Sequence, residues 1–490
     1  MIERLEAAIE STLRDHVGMS CAREPERIAQ ELGRVVGLEH VLAGTEPAAA
    51  PYNHDASHRP ELSGRADAVV LPGSAPEVAE VVRWCYEHGV AIVPRGGGTG
   101  LTGGAVPTEG GVVCSLERLR GVRELDPGMW RMQVEAGMTT AHVQRLAREN
   151  GLMFGPDPGA AEQSQIGGNV ATNAGGPHAL KYGVTGAWVA GLEVVLAPGE
   201  LVTLGGWARK DVAGYDLRSL LVGSEGTLGV ITAVRLRLLP APEATAVLIA
   251  FLPSLARGCE AMLEIAAAGL RPSALEFLDG TTLEIVAAGY PGGGGVDSEV
   301  PAGAEFALLI EVDGSCVEVG DQRRALRELL GGAAALAIHE PANQAAQWRW
   351  RDGFNGVITA ARGAKVSEDV SFPVECLREG LECFEQIADA HGLRACAWGH
   401  GGEGNVHATV LVDPANPQEL ETARSVEEEL FALVVSLGGS IAAEHGVGWL
   451  KRGRLSAQWD PRAVELHGQI KGVFDSKGLL NPGKKLGISP

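Results

Sequence analysis

Short apolar runs alternate with amphipathic segments along the first half of the chain. The run DAVVLPG precedes APEVAEVVRWCYEHG, whose apolar residues recur at helical spacing between an early proline and a final glycine. The run VAIVP then leads into a glycine-rich stretch, GVVCSL follows as another predicted strand, and TTAHVQRLARENG again has helical spacing. This pattern predicts an α+β region of short strands and helices between residues 68 and 242.

The second half has longer elements. TAVLIAFL, SALEFLDG and EFALLIEVDG predict strands, and RGCEAMLEIAAAG and QRRALRELLGG predict helices between them. RACAWGH and NVHATVLV predict two further strands, and the chain from Glu427 onward predicts helix. This order favours an antiparallel sheet covered by helices.

Composition narrows the functions that this chain can have. Its 490 residues suffice for two or three domains. A formal net charge of −21 without a Lys/Arg cluster argues against nucleic acid and against an anionic membrane surface. Eight cysteines without a C-x-x-C pair argue against iron–sulfur ligation and a disulfide framework. With no secretory segment and no run of 18 apolar residues, we expect a cytoplasmic protein without a transmembrane segment that binds small molecules.

The glycine-rich stretch PRGGGTGLTGGAVP (94–107) predicts a close backbone approach to a ligand. Glycine permits positive φ, and successive N–H groups can form an anion-binding nest. Gly98, Gly100 and Gly103 match the dinucleotide fingerprint G-x-G-x-x-G, but that fingerprint requires a helix immediately afterwards, and here a turn with Pro107 follows. A phosphate cradle between two strands is therefore predicted, with a plain glycine-rich turn as the alternative.

Three further glycine-rich stretches lie within the next 130 residues. They are PDPGA (156–160), IGGNVATNAGG (166–176) and VGSEGTLGVIT (222–232). Each combines bare backbone with small hydrogen-bonding side chains nearby. Four such loops suit a long, polar ligand that is phosphorylated in its middle.

Seven motifs spread over residues 68–486 together carry a family resemblance: PRGGGTGLTGG, IGGNVATNAGG, ALKYGVTG, DVAGYDLRSLLVGSEGTLGVIT, WGHGGEGNVH, AAEHGVGWLK and NPGKKL. The chain resembles the flavin-dependent oxidoreductases of the vanillyl-alcohol oxidase superfamily. Within it, the nearest branch contains D-lactate dehydrogenases, the glycolate oxidase flavin subunit and D-2-hydroxyglutarate dehydrogenases.

The resemblance implies an α+β fold. An FAD-binding domain of the p-cresol methylhydroxylase (PCMH) type, built of two α/β subdomains, would precede an α+β cap domain with an antiparallel sheet and a helical C-terminal segment. The expected limits are an N-terminal helical extension at 1–60, the FAD-binding domain at 61–242, the substrate and cap domain with the metal site at 243–426, and at 427–490 a helical segment that packs back on the FAD domain.

The resemblance also implies that the glycine loops hold FAD, with its pyrophosphate on the first loop. Relatives with covalent flavin carry a histidine in that loop, whereas this chain reads Gly98-Thr99-Gly100, so non-covalent FAD is expected. The predicted FAD-binding residues are Pro94, Arg95, Gly96, Gly97, Gly98, Thr99, Gly100, Leu101, Gly103, Gly104, Pro156, Asp157, Pro158, Gly159, Ile166, Gly167, Gly168, Asn169, Thr172, Asn173, Gly175, Gly176, Tyr182, Gly183, Val184, Gly226, Gly229, Val230, Ile231 and Asn481.

Two histidines, His400 and His407, flank the glycine turn of WGHGGEGNVH. If that turn joins antiparallel strands, both imidazoles can converge on one point, and Glu444 could complete a metal site; structural histidines are the alternative. By resemblance, His400, His407 and Glu444 are divalent-metal ligands, with zinc expected first and manganese or iron(II) left open. His445 is the predicted catalytic base, because imidazole is the usual proton acceptor near neutral pH; a hydrogen-bonding core histidine beside Glu444 is the alternative.

Four residues are predicted to bind substrate. Arg351 matches the family's arginine for the substrate carboxylate, with Asn355 one helical turn later if that segment is helical; Asn405 completes the glycine turn. The hydroxyglutarate enzymes are expected to carry a lysine where this chain has Ser367, so Lys365, two residues back on the same strand face, is the candidate for a distal carboxylate. Glu403 stands where relatives usually have aspartate, which leaves its role open.

The sequence therefore predicts an FAD- and metal-dependent D-2-hydroxy-acid dehydrogenase that transfers hydride from C2 to flavin, with D-2-hydroxyglutarate, D-lactate and glycolate all open as substrates. A flavin subunit that works only within a glycolate oxidase-like electron-transfer complex is the main alternative. A flavin- or metal-binding protein without redox turnover is a further one. The electron acceptor stays open between quinone, electron-transfer flavoprotein, cytochrome and oxygen, and a homodimer would be unsurprising.

Overall fold

The computed structural model describes residues 24–57, 59, 62–292 and 299–486. The helical pattern predicted from IERLEAAIESTLRDHV (2–17) lies outside the described residues, as does most of the glycine-rich stretch at 291–295. We call the part up to residue 243 the N-terminal half and the remainder the C-terminal half. Among the described residues, no helix combines the length and apolar character that a membrane crossing requires.

The N-terminal half contains short strands and helices. Its strands are β1 (Val41–Ala43), β2 (Ala68–Val70), β3 (Ile92–Arg95), β4 (Val112–Ser115), β5 (Val122–Asp126), β6 (Arg131–Glu135), β7 (Leu152–Met153), β8 (Val189–Leu196), β9 (Glu200–Gly205), β10 (Val230–Arg237) and β11 (Leu239–Pro240). Its helices are α1 (Pro25–Val36), α2 (Ala75–His88), α3 (Thr140–Glu149), α4 (Ile166–Thr172), α5 (Ala179–Tyr182), α6 (Thr185–Trp188) and α7 (Leu217–Leu221).

Two larger sheets organise this half, as expected for two subdomains, and β7 pairs with β11 in a small third sheet. The first has the order β1-β2-β4-β3, in which β2, β4 and β3 run parallel and β1 is antiparallel. Helix α2 connects β2 to β3; Ser74 caps it by accepting from Glu77 N, and the left-handed Gly89 ends it. No helix separates β3 from β4, which confirms the turn predicted after the first glycine loop. The second sheet, β5-β6-β10-β8-β9, is antiparallel.

The C-terminal half contains one large sheet and longer helices. Its strands are β12 (Ala244–Leu252), β13 (Ala274–Asp279), β14 (Phe306–Gly314), β15 (Ala337–His339), β16 (Ala364–Ser371), β17 (Arg394–His400) and β18 (Asn405–Val412). Its helices are α8 (Leu255–Ala267), α9 (Gly280–Val286), α10 (Cys316–Gly332), α11 (Gln344–Asp352), α12 (Phe354–Arg362), α13 (Leu377–Ala390), α14 (Pro417–Ser436), α15 (Leu455–Gln458) and α16 (Pro461–Phe474).

The seven strands form an antiparallel sheet in the order β15-β12-β14-β13-β17-β18-β16, as the sequence pattern predicts. Side chains alternate between the two faces along each strand. One face packs against α8, α10, α13 and α14 in a core that includes Phe277 and Phe306. The other face packs Phe251, Leu309 and Trp398 against α9, α11 and α12. A sheet buried on both faces explains the nearly continuous apolar strand sequences.

Two local expectations were wrong. The stretch IGGNVAT is helix α4 rather than a loop, ended by Asn173 in the left-handed region; Gly167 is needed because a Cβ there would lie 2.6 Å from the Ala136 Cβ. Helix α14 begins at Pro417 rather than near Glu427, since Asn416 accepts from Gln418 N and proline suits the first helical position; residues 437–454 that follow it are irregular.

For WRWRDGFNGVI, only a continuous helix would have placed Asn355 a turn after Arg351. The segment breaks at Gly353 into α11 and α12. The two side chains therefore do not share a helix face.

The end of the described chain returns to the N-terminal half. Asn481 N donates to Ile92 O at 2.8 Å, and Ile92 N donates to Leu479 O at 2.8 Å, so this segment extends the β3 edge. The Asn481 amide also donates to Gly104 O (2.8 Å) and Glu225 O (2.7 Å). The C-terminal segment thus ties two of the glycine loops together.

Candidate active site

The glycine loops of the N-terminal half fit an FAD molecule. Three buried polar atoms on or beside these loops have no hydrogen-bond partner within the described structure: Gln165 Oε1, Ser224 Oγ and Asn481 Oδ1. Such orphaned groups are rare unless a ligand or water satisfies them. The backbone at Gly104, Gly159 and Gly168 faces open space. Buried polar atoms without a partner, next to glycine backbone with open space in front of it, fit a site for a long polar cofactor.

The loops approach one another closely enough to require glycine. A Cβ on Gly97 would lie 2.0 Å from Gln163 O, and one on Gly226 would lie 3.1 Å from Pro94 Cγ. A Cβ on Gly96 would lie 3.6 Å from Gly168 Cα. The predicted FAD-binding residues of the first, third and fourth loops are therefore neighbours in space.

Some predicted FAD-binding side chains are already engaged by the protein. Arg95 donates to His54 O (2.8 Å) and to Pro51 O and Ala105 O (both 3.3 Å). Tyr182 donates to Asp313 Oδ2 at 2.7 Å. Asp157 accepts from His178. At these positions the backbone, rather than the side chain, is left to face a ligand.

The seven-stranded sheet places the predicted metal ligands on one face. Its register pairs Glu276 with His400, Trp398 with His407, and His407 with Asp369. Directly paired residues of antiparallel strands point to the same face. The turn between β17 and β18, with Gly404 in the left-handed region, joins the two strands as the sequence predicts.

Three imidazoles converge on Glu444. Its Oε1 lies 3.3 Å from His400 Nε2, 3.8 Å from His407 Nε2 and 3.7 Å from His445 Nε2. The His407 and His445 rings stack with centroids 5.3 Å apart, and the His400 and His407 rings meet edge to face at 5.6 Å. Several nitrogen donors around one carboxylate oxygen form a donor set that suits a divalent ion.

The possible metal-binding residues that lie closest together include only two of the three predicted ligands. Single ligand atoms from Asp369, His407, Glu444 and His445 all lie within 4.8 Å of one another, a group that omits His400. However, the oxygens of Asp369 are already engaged. Its Oδ2 accepts from the backbone N–H groups of residues 443, 444 and 445 at 3.0, 2.8 and 2.9 Å, and its Oδ1 accepts from Asn405 at 2.8 Å. Asp369 therefore anchors the segment that carries Glu444 and His445.

The pKa values of the predicted metal ligands are shifted in different directions. Burial, together with the neighbouring His445 and His400, lowers the pKa of His407 to about 3, which keeps it in the neutral form that metals require. Burial would also lower the pKa of His400, but the carboxylates of Glu276 and Glu444 raise it to about 10. Although burial opposes it, the neighbouring His400 above all holds the pKa of Glu444 well below its usual range.

Glu276, which the sequence reasoning missed, joins two predicted site residues. It accepts from Arg351 Nε at 2.7 Å and lies 2.6 Å from both Arg351 Nη2 and His400 Nδ1. Arg351 itself lies 3.5 Å from His400 Nδ1. The arginine predicted to bind substrate is thus buried beside the imidazole predicted to bind metal.

The other predicted substrate residues lie nearby. Asn405 donates its amide to Asp369 and to Val370 O (3.0 Å). Lys365 donates to Asn355 Oδ1, and its Nζ lies 4.8 Å from the centroid of the Trp398 ring, which in turn lies 5.6 Å from the His407 ring. The Asn355 side chain is exposed and faces Lys365 rather than Arg351. Contact of these residues with substrate stays a prediction.

The two halves meet at this site. A Cβ on Gly175, in the third glycine loop, would lie 3.0 Å from Glu444 Oε2. Glu225, in the fourth loop, accepts from Val447 N (3.0 Å) and Gly448 N (2.7 Å), just beyond His445. The candidate metal cluster therefore borders the candidate FAD site.

Comparisons with known proteins identify the family of this chain. The FAD binding domain family matches residues 66–205, and the C-terminal domain family of FAD linked oxidases matches residues 241–485. Glycolate oxidase subunit GlcD of Bacillus subtilis is 35% identical over 88% of this chain and 91% of its own length. A D-2-hydroxyglutarate dehydrogenase of Xanthomonas citri pv. viticola is 37% identical, over 85% of this chain and 88% of its own.

A solved structure of p-cresol methylhydroxylase superposes with a TM-score of 0.76 at 19% identity, over 95% of this chain and 97% of that one. It confirms the expected PCMH-type fold. Fold and sequence matches together define an FAD-binding oxidoreductase. The chain belongs to the FAD-linked oxidase family.

Proposed function

We propose that this protein oxidises a D-2-hydroxy acid to the 2-oxo acid with non-covalent FAD and a divalent ion held by His400, His407 and Glu444. The convergence of three imidazole Nε2 atoms on Glu444 Oε1, beside a buried arginine and next to the glycine loops, carries the proposal. When bound, FAD accepts the hydride from C2 and the ion makes the substrate hydroxyl more acidic.

The protein's own residues then have distinct tasks. Arg351, held by Glu276 through Nε and Nη2, directs its remaining guanidinium N–H groups toward the substrate carboxylate. His445 accepts the hydroxyl proton as C2 loses hydrogen with its electron pair, which leaves a C2 carbonyl. Asp369 fixes the backbone of His445, so the base keeps its place relative to the metal ligands.

Zinc is the first candidate ion, because two imidazoles and one carboxylate with positions left open form a common catalytic zinc set. Manganese and iron(II) accept the same nitrogen and oxygen ligands and are the alternatives. A metal-free preparation reloaded with each ion in turn would rank them.

Lys365 favours a substrate with a second carboxylate, which makes D-2-hydroxyglutarate the first candidate ahead of D-lactate and glycolate. Lys365 is half-buried, and in the described structure no carboxylate pairs with it. Burial lowers its pKa to about 8. A half-buried cation without a counter-charge gains from an anionic ligand group.

A second candidate function is a subunit of a larger electron-transfer assembly. It is favoured by the similarity to a protein named as a glycolate oxidase subunit, which matches almost the whole chain. Quinone, electron-transfer flavoprotein and cytochrome are the acceptors to test in that case.

The deciding experiment is anaerobic bleaching of the FAD absorbance by D-2-hydroxyglutarate, D-lactate, L-lactate and glycolate, each before and after chelation. We expect one D-acid to bleach the flavin, chelation to abolish the bleaching, and zinc to restore it. His445→Asn should retain FAD but bleach at least about 100-fold more slowly. The control His391→Asn removes an exposed imidazole paired with Glu429 and should leave the rate unchanged.

A bleaching rate that survives chelation would exclude the metal role. Bleaching by no acid would exclude the isolated dehydrogenase and favour the subunit function, which is then tested by adding membrane extracts and quinone.

A further inference from the structure

The segment after β9 holds apolar side chains out into solvent. Val212 and Tyr215 are 97% and 96% exposed, and Leu217 and Leu220 of α7 are exposed as well. Single exposed apolar residues are ordinary, but a contiguous set usually marks an interaction surface. We call residues 200–220, from β9 through α7, the edge segment.

Side-chain contacts anchor the edge segment on both sides of Val212 and Tyr215. Trp207 Nε1 donates to Glu124 Oε2 at 3.2 Å, and the Arg131 guanidinium lies 5.0 Å from the centroid of its ring. Arg218 Nη1 donates to Val189 O at 2.9 Å. Between these anchors, Ala213 N donates to Asp211 Oδ1 at 3.0 Å in a local turn. The exposed side chains therefore stand on a defined backbone.

The segment also contains an open sheet edge. Strand β9 ends the order β5-β6-β10-β8-β9, and among the described strands it pairs with β8 alone. Leu201 is exposed on it, and α7 contacts it. An unpaired edge strand is a template for pairing with another chain.

The charge of the edge segment suits a second copy of this chain. It carries three acidic and three basic residues, whereas the whole protein has a formal net charge of −21. Two such copies repel over most of their surfaces, but they can approach where the surface is neutral. Arg209 and Lys210 of one copy can face Asp211 and Asp216 of the other in a two-fold arrangement.

We propose that the edge segment is the interface of a homodimer, in which β9 pairs antiparallel with the β9 of a second copy and Val212 and Tyr215 pack across the two-fold axis. The exposed residues of the segment supply part of one side of a standard protein interface, which takes about 20 to 30 residues. The proposal does not depend on the proposed substrate.

The test is sedimentation velocity of the FAD-loaded protein over a range of concentrations. We expect a dimer for the unmodified chain and at least about a tenfold weaker dimer for Val212→Asp and for Tyr215→Asp, because each buries a charge against its own copy. Val473→Asp is the matched control, since Val473 is 83% exposed on α16, outside the edge segment, and it should leave the dimer intact.

A monomeric unmodified protein, or a dimer that Val212→Asp and Tyr215→Asp leave unchanged, would overturn the proposal. Hydrogen exchange supplies an independent reading: the β9 amides should be slow in the dimer and fast in Tyr215→Asp. Flavin content and bleaching should be equal in all variants, so failure of the proposed chemistry would be seen separately.

Discussion

At the scale of single residues, Glu276 contacts both His400, a proposed metal ligand, and Arg351, the proposed substrate-binding arginine. Its carboxylate lies 2.6 Å from His400 Nδ1 and also binds Arg351. A carboxylate on Nδ1 orients the ring and directs Nε2, which lies 3.3 Å from Glu444, toward a metal. One side chain thus positions both the proposed ligand and the proposed substrate arginine.

Glu276→Gln should therefore weaken zinc binding about 10- to 100-fold, the usual effect of losing such a partner. The substrate KM should rise in parallel, because Arg351 loses its fixed counter-charge. Zinc affinity is measured by chelator competition on the FAD-loaded protein. Glu284→Gln, which removes an exposed carboxylate paired with Arg394 on the same domain, should change neither quantity. Unaltered zinc affinity in Glu276→Gln would contradict the positioning role.

The sequence could suggest His400, His407 and Glu444 but not Glu276 or Asp369. The first three residues lie beside glycines, and glycines leave space around neighbouring side chains for a ligand. Glu276 and Asp369 lie inside strands, in SALEFLDG and SEDVSFP, where they resemble ordinary strand residues. The available signal was a carboxylate within an otherwise apolar, buried strand, since such groups are rarely buried without a partner.

At the scale of elements, Asp369 of β16 holds the irregular segment 437–454. Three successive N–H groups, from Ala443 to His445, bind one carboxylate oxygen, and hydrogen bonds to a charged acceptor contribute about 1.5–3 kcal/mol each. Within a helix interior these N–H groups would bind carbonyls four residues earlier, so their use by Asp369 is incompatible with a helix running through residues 443–445. This explains why the segment is irregular although its flanks are helical.

Asp369→Asn should loosen that segment without removing FAD. The neutral amide keeps one acceptor oxygen but loses the charge, so the bleaching rate should fall about 10- to 100-fold while FAD content is unchanged. Faster hydrogen exchange of the amides at 443–445 should accompany the loss. Asp413→Asn, at a remote turn where Asp413 accepts from Ala415 N, serves as the control. Bleaching at the unmodified rate would show that the anchor is dispensable.

Element prediction succeeded where periodicity and caps agree, as in α2 with Ser74 and Gly89. It failed at α4, where two glycines suggested a loop although tight packing against Ala136 requires them within a helix. It did not place the break between α11 and α12 at Gly353.

At the scale of the whole molecule, the residues that join the two halves could not be predicted from the hydrophobic pattern. His178, before α5, binds Asp157 (2.5 Å) in the same half and Glu311 (2.9 Å) on β14, 133 residues away. Nearby, Lys181 and Tyr182 bind Asp313. Hydrophobic pattern predicts each sheet separately, but it carries no information on such polar contacts between domains.

His178 should stabilise the contact between the two halves in a pH-dependent way. Burial lowers its pKa, but Asp157 and then Glu311 raise it to about 11 in the folded protein. The unfolded imidazole titrates near pH 6.5, so the stabilisation is complete below that pH and declines as pH rises toward about 11. His178→Gln should therefore lower the melting temperature more at about pH 6 than at about pH 9. The control His391→Gln, which removes an exposed His–Glu pair, should show little change at either pH. An equal effect of His178→Gln at both pH values would mean that the imidazole is not charged between the two halves.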